Sequence, residues 1–302
     1  MSGVLARSVA TPVPTRHHTE LEIEVDLDFE QILMALLSGV KGDVTPSTPG
    51  SGTGRLWTFL PSTTGVVAPK TYSMEWVESN FAATPDNIGR EALYGFCIGF
   101  DITAGIDGIS KLTMRMAARK TATTTKTTIA LPTLNPAPNA KWKLQVDDTW
   151  ANLGTTQITG QIYGLSYTFG GFMRPAYYLD GRNDLDFVAH EFAPRTAELI
   201  VDIVVDPAST GYAVLEAADK AAQTPRFVRI SNTGKAFAAP DGSLNYFLQV
   251  DGAYQHAPDS LQDRGADRDG NHITRLHLLS TYDATSGQDV RFRVQNILTA
   301  FP

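Results

Sequence analysis

The chain has 302 residues, room for one large core or two modest ones at roughly 100 to 200 residues per domain, and two is the starting expectation. Hydrophobic residues make up 42% and charged residues 19%, which excludes a disordered chain and a collagen-like repeat. The net charge of -7 argues against a surface that grips nucleic acid, because static binding to phosphate needs clustered Lys and Arg.

Residues 1–18 carry Pro12, Pro14 and small residues without periodicity, and read as an arm lying over something else. They hold no signal-peptide core. No apolar run in the chain approaches the roughly 20 residues of a spanning helix, so a protein made in a cytoplasm without membrane insertion is expected. Leu21-Glu22-Ile23-Glu24-Val25-Asp26 alternates strictly, predicting a strand with Leu21, Ile23 and Val25 on one face. The period then changes. Phe29, Ile32, Leu33, Leu36 and Val40 fall on one side of a short amphipathic helix, with Asp28 as N-cap and Gly39 or Gly42 at its end. Residues 42–54, rich in Pro, Gly, Ser and Thr, predict a loop long enough to suggest function or disorder and unable to pack as core.

Strands are expected at 55–60, 70–77, 93–103 and 111–119, the last two joined as a hairpin across Ala104 to Gly108. The Thr-rich stretch 121–128 and Pro132, Pro136 and Pro138 read as a bridge between halves. Beyond it, strands are expected at 141–146, 159–169, 187–192 and 197–205, followed by an Ala-rich helical stretch to about 222. Further strands follow at 226–230, 244–250, 272–282 and 289–298. Both halves therefore read strand, short helix, strand, strand, hairpin. The expected fold class is mainly β, with two tandem β-sandwich or barrel units, each with one short α-helix. The arm is followed by the first unit over 19–130, a linker and connecting strand over 131–158, and the second unit over 159–302.

Few residues of the chain form a pattern that carries chemistry. The lone Cys97 has no partner for an internal disulfide and sits in the apolar stretch 94–100, so it reads as buried. Asp263, Asp267, Asp269, Gly270 and Asn271 invite a calcium reading, but counting from Asp267 puts His272 at the glycine position and Leu278 at the closing Glu; a solvated hairpin loop is the better account. His190-Glu191 lacks the second histidine of a zinc protease, since Pro194 stands there. Gly164-Leu165-Ser166-Tyr167-Thr168 lacks the last glycine of a nucleophile elbow. Gly50, Gly52 and Gly54 precede a strand instead of opening a helix, unlike a phosphate loop. No nucleophile has a partnered base, so no catalytic residue, metal site or cofactor is expected.

Several segments stand in a telling order along the chain: the strand and apolar helix from Leu21 to Val40, the Gly/Pro loop, Trp57-Thr58-Phe59, and Pro69-Lys70-Thr71-Tyr72-Ser73-Met74-Glu75. Trp142-Lys143-Leu144-Gln145-Val146-Asp147-Asp148, Gly154-Thr155-Thr156-Gln157-Ile158-Thr159-Gly160, and Asp267-Arg268-Asp269-Gly270-Asn271 with Tyr282-Asp283 follow. In this order, over residues 19–302, they resemble the major tail tube proteins of long-tailed, siphovirus-like bacteriophages. The resemblance implies tail-tube-type β units that stack as rings into a hollow virion tail tube, the conduit for genome ejection. The implied partners are copies of itself, a tape-measure protein, and tail-terminator and distal tail proteins, with double-stranded DNA passing without specific binding. If the two halves are duplicates, three chains supply six units per ring.

On that reading, arm residues Val4 and Leu5 and loop residues Thr45, Pro46, Thr48, Pro49 and Thr53 are expected to cross between rings. Hairpin residues Ile106, Asp107, Asp263, Asp267 and Asp269 are expected at the lumen, where an acidic wall repels phosphate. The competing reading is a virion-associated carbohydrate- or receptor-binding sandwich, with Trp150, Tyr177 and Tyr178 as stacking surfaces.

Overall fold

Alternation of apolar and acidic residues produces β1 (Thr19–Asp26), with Leu21, Ile23 and Val25 half-buried and Glu20, Glu22, Glu24 and Asp26 exposed. The computed structural model describes residues 17–63, 67–79, 87–125, 127, 133–158, 162–178, 185–204, 224–258, 262–263 and 273–301. After β1 come α1 (Ile32–Gly39), β2 (Arg55–Phe59), β3 (Tyr72–Ser79), β4 (Asn87–Ala104), β5 (Lys111–Ala118), β6 (Thr121–Thr124), β7 (Trp142–Asp147) and β8 (Gln157–Ile158). The chain continues through β9 (Ile162–Gly170), β10 (Met173–Ala176), β11 (Ala189–Phe192), β12 (Thr196–Val204), β13 (Arg226–Ala236), β14 (Asn245–His256), β15 (Gln262–Asp263), β16 (Ile273–Ser280) and β17 (Val290–Asn296). The fold is mainly β, as expected.

Antiparallel pairing joins the strands in the order β1-β5-β4-β9-β12-β16-β14-β13-β7-β8, with β17 beside β14, β2 beside β17, β15 beside β16, and β3 and β6 beside β4. The strand β14 turns this sheet into two layers, because its residues 247–252 pair with β17 while 254–256 pair with β16. The layers meet on aromatic rings. Phe292 of β17 lies 5.8 Å from Phe100 of β4, 5.3 Å from Phe169 of β9 and 6.0 Å from Tyr167 of β9, centroid to centroid. Both layers draw on both halves of the sequence: β2 pairs with β17, and β4 pairs with β9. One connected buried cluster runs from Leu27 to Val294.

The helix α1 differs from its expected amphipathic form. Ile32, Leu33, Ala35, Leu36, Leu37, Ser38 and Gly39 are all buried, because the segment Ile32–Gly39 contains no charged residue and packs against β4 beneath the sheet. Asp28 does serve its start, accepting the Glu30 amide at 2.8 Å and the Gln31 amide at 3.2 Å through Oδ1. A Cβ on Gly39 would stand 3.0 Å from Cys97 Cβ, so close helix-to-strand contact, as much as helix termination, requires glycine there. Cys97 is buried, as expected.

Three further expectations change. Thr121–Thr124 is strand β6 on β4 instead of bridge, consistent with the preference of β-branched residues for strands. Loop 42–54 is not excluded from packing: Gly54 is buried, and the Gly52 and Gly54 amides donate to Asp241 at 3.0 and 2.8 Å. Strands β13 and β14 run several residues beyond their expected ends, pairing along Arg226–Thr233 and again at Ala236↔Asn245. The helical stretch expected at 206–222 lies outside the described residues.

Candidate functional site

The layer β1-β5-β4-β9-β12-β16 turns its apolar side to the core, and register fixes what the other side carries. Cross-strand partners share a face. Glu22 pairs with Arg115, Glu24 with Thr113 and Asp26 with Lys111; Asp101 pairs with Thr113 and Thr168, and Thr103 with Ser166. Glu198 pairs with Thr168 and Asp202 with Arg275. Seven carboxylates (Glu20, Glu22, Glu24, Asp26, Asp101, Glu198, Asp202) therefore face three permanent cations (Lys111, Arg115, Arg275), an excess of four negative charges among the described residues.

The charges are unevenly spread. Across the middle lie the small polar residues Thr103, Thr113, Ser166 and Thr168. Arg115 lies 2.8 Å from Asp101, Arg275 2.9 Å from Asp202, and His277 2.6 Å from Glu198. Lys111 lies 2.6 Å from Asp26, whose carboxylate holds the ammonium above its ordinary range. Glu20, Glu22 and Glu24 thus carry most of the surplus. They stand on β1, which among the described residues pairs with β5 alone and presents an open edge.

The same registers define two ends. Thr19, Ala118, Gly99, Gly170 and Thr196 lie toward one; Asp26, Lys111, Ala104, Leu165 and Ile203 lie toward the other. At the first end, His17 donates its amide to Leu185 O at 2.9 Å, and arm residues Val4 and Leu5 lie outside the described residues. The back layer is held there by Arg195, 2.5 Å from Asp289, so β17 starts at this end and finishes at Asn296, opposite Arg55, at the other. Loop 42–54 consequently meets Asp241 at the end opposite the arm. Thr45, Thr48, Pro49 and Thr53 are exposed there and Pro46 is half-buried.

The hairpin β4–β5 turns at that opposite end, with Ile106 48% exposed, Asp107 exposed and Gly108 at φ 88°. Asp263 pairs with Thr274, which in turn pairs with the buried Ile203, so the two expected hairpins share one end of the layer but Asp263 does not share the register of the polar face; Asp267 and Asp269 lie outside the described residues. The Gly50-Gly52-Gly54 segment, weighed as a phosphate loop, holds the Asp241 carboxylate. His190 packs against Phe96 and Phe192, where burial lowers its pKa. Of the three stacking candidates, Trp150 is packed on Phe227 and under Arg291, and Tyr177 on Phe187; Tyr178 is 58% exposed.

Sequence reasoning missed the buried carboxylate Asp251, which faces Arg229 and Arg291 on the outer side of the back layer. Its only signal was an acid inside the apolar run 246–254. Among the described residues, no group of three or more His, Cys, Asp or Glu is placed to hold a metal, and no helix is long and apolar enough to cross a membrane. The chain matches no protein-family model and no curated protein.

Proposed function

We propose that this chain is a structural virion protein that assembles into stacked rings, forming the hollow tail tube through which a phage genome leaves its capsid. The observation that carries the reading is the wide polar sheet face with four surplus negative charges, ending in the open edge of β1. Facing a channel, such a wall repels phosphate at close range and leaves DNA free to slide. An open edge strand is satisfied when a neighbouring copy pairs with it, which closes a ring.

The placement of arm and loop at opposite ends also supports head-to-tail stacking, since the arm end of one ring would meet the loop end of the next. In this reading the chain catalyses no reaction and binds no cofactor. Its partners are its own copies, a tape-measure protein, and terminator and distal tail proteins. Two sandwich-type units sharing one core would give three-chain, pseudo-hexameric rings. Negative-stain electron microscopy of the concentrated protein tests this: hollow rings or tubes with three-fold or six-fold end views are expected. A discrete dimer that binds glycans would replace the reading with that of a binding module.

A further inference from the structure

At the hairpin end, a cavity of about 330 Å³ opens between the β4–β5 turn and the start of β9. Ile106, Ile158, Ile162 and Leu165 give it apolar walls, and Asn139 and Gln157 contribute amides. Gln157 belongs to β8, an edge strand bonded to β7 alone among the described residues, so unpaired backbone runs beside the opening. Apolar walls next to an open strand edge suit an extended peptide with apolar side chains.

We propose that this cavity receives the amino-terminal arm of the next copy in the stack, with Val4 and Leu5 inserted. The inference rests on the stacked-ring reading. Val4-Leu5 is the only adjacent pair of large apolar residues among residues 1–16. The arm leaves its own sandwich at His17, at the end away from the cavity. Twelve residues separate His17 from Leu5, an extended reach of about 40 Å, against about 30 Å for the nine residues from Phe96 to Ala104 that span the layer. Between copies stacked head to tail, the arm end and the cavity end adjoin, so the arm has length to spare.

Cysteines at Ala6 and Ala140 test the contact, because Ala140 is exposed and lines the cavity, while the native Cys97 is buried. Oxidised assemblies of the double variant A6C/A140C are expected to give a ladder of covalent multimers on a non-reducing gel, and each single variant none. An intrachain disulfide alone would put the arm in its own cavity and overturn the proposal. Tubes that form but do not cross-link would overturn it too, leaving stacking intact. Loss of rings and tubes in the unmodified protein would instead remove the stacked-ring reading and this contact together. In a second test, Val4→Asp with Leu5→Asp should raise the concentration needed for assembly at least about tenfold without shifting the melting temperature.

Discussion

Asp251 is fully buried and accepts Arg229 Nε at 2.6 Å through Oδ1. Its Oδ2 lies 2.6 Å from Arg291 Nη2 and 2.8 Å from Gln249 Nε2, so three strands are tied through one carboxylate. Removing one member of a buried ion network leaves charges unpaired, at about 3 to 5 kcal/mol. Because Arg229 and Arg291 keep 19% and 24% exposure, the lower end applies. Asp251→Asn is expected to cost about 3 kcal/mol in urea denaturation. A loss below about 1 kcal/mol would show that the guanidinium groups find water instead.

The approach of α1 to β4 gives a second prediction. With Cys97 Cβ 3.0 Å from where a Cβ on Gly39 would stand, and Cys97 O at 3.1 Å, the strand must move to admit a side chain. Gly39→Ala should destabilise by about 1 to 3 kcal/mol despite its better helix propensity. A smaller cost of Gly39→Ala in a Cys97→Gly background than in the parent would assign the difference to the side-chain part of this contact.

These two sites also show what the sequence can reveal. Strand β1 was legible because it alternates strictly, with one face on the core. The hairpin at Ala104 to Gly108 was legible from turn residues between two such runs. By contrast, α1 looked one-sided because its apolar residues at i, i+3 and i+4 mask the fact that the remaining positions are apolar or small too. The Asp241 anchor was invisible, since it joins Gly52 and Gly54 to a turn nearly two hundred residues later, and periodicity reports only local neighbours. The polar face was half legible: Glu20 to Asp26 announced it, but Asp101, Glu198 and Asp202 join it only through register.

Acidification should lower the stability of the chain over two pH ranges. Burial disfavours the charged imidazole of His190, so its folded pKa lies below the ordinary 6.5. The unfolded chain then takes up the proton first, and stability falls as pH drops below about 6.5. Asp147 behaves differently: burial pushes its carboxyl up, but hydrogen bonds from Thr155, Gly154 and Thr156 outweigh this and hold it below the usual range. Its contribution is present above the ordinary carboxylate value and is lost as pH falls below about 4. Melting curves between pH 7.5 and 3 should show His190→Phe flattening the first decline and leaving the second. An unchanged slope near pH 6 in that variant would acquit His190.

The loop 42–54 separates folding from assembly. Its base is structural, since Asp241 accepts a buried amide donor from Gly54 and a part-buried one from Gly52, and hydrogen bonds to a charged group contribute about 1.5 to 3 kcal/mol each. Asp241→Ala should therefore lower stability by about 2 to 3 kcal/mol, and open the loop to protease. The tip differs, because Thr48 and Pro49 are exposed and only their placement at the end opposite the arm suggests a task. Thr48→Asp with Pro49→Asp should leave the melting curve within about 0.5 kcal/mol of the parent. If the tip meets the next ring, the added charges should leave single rings that fail to lengthen into tubes under the electron microscope. Tubes of normal length from this variant would take the tip out of the stacking contact, and confine the loop to holding β2 and the turn at Asp241 together.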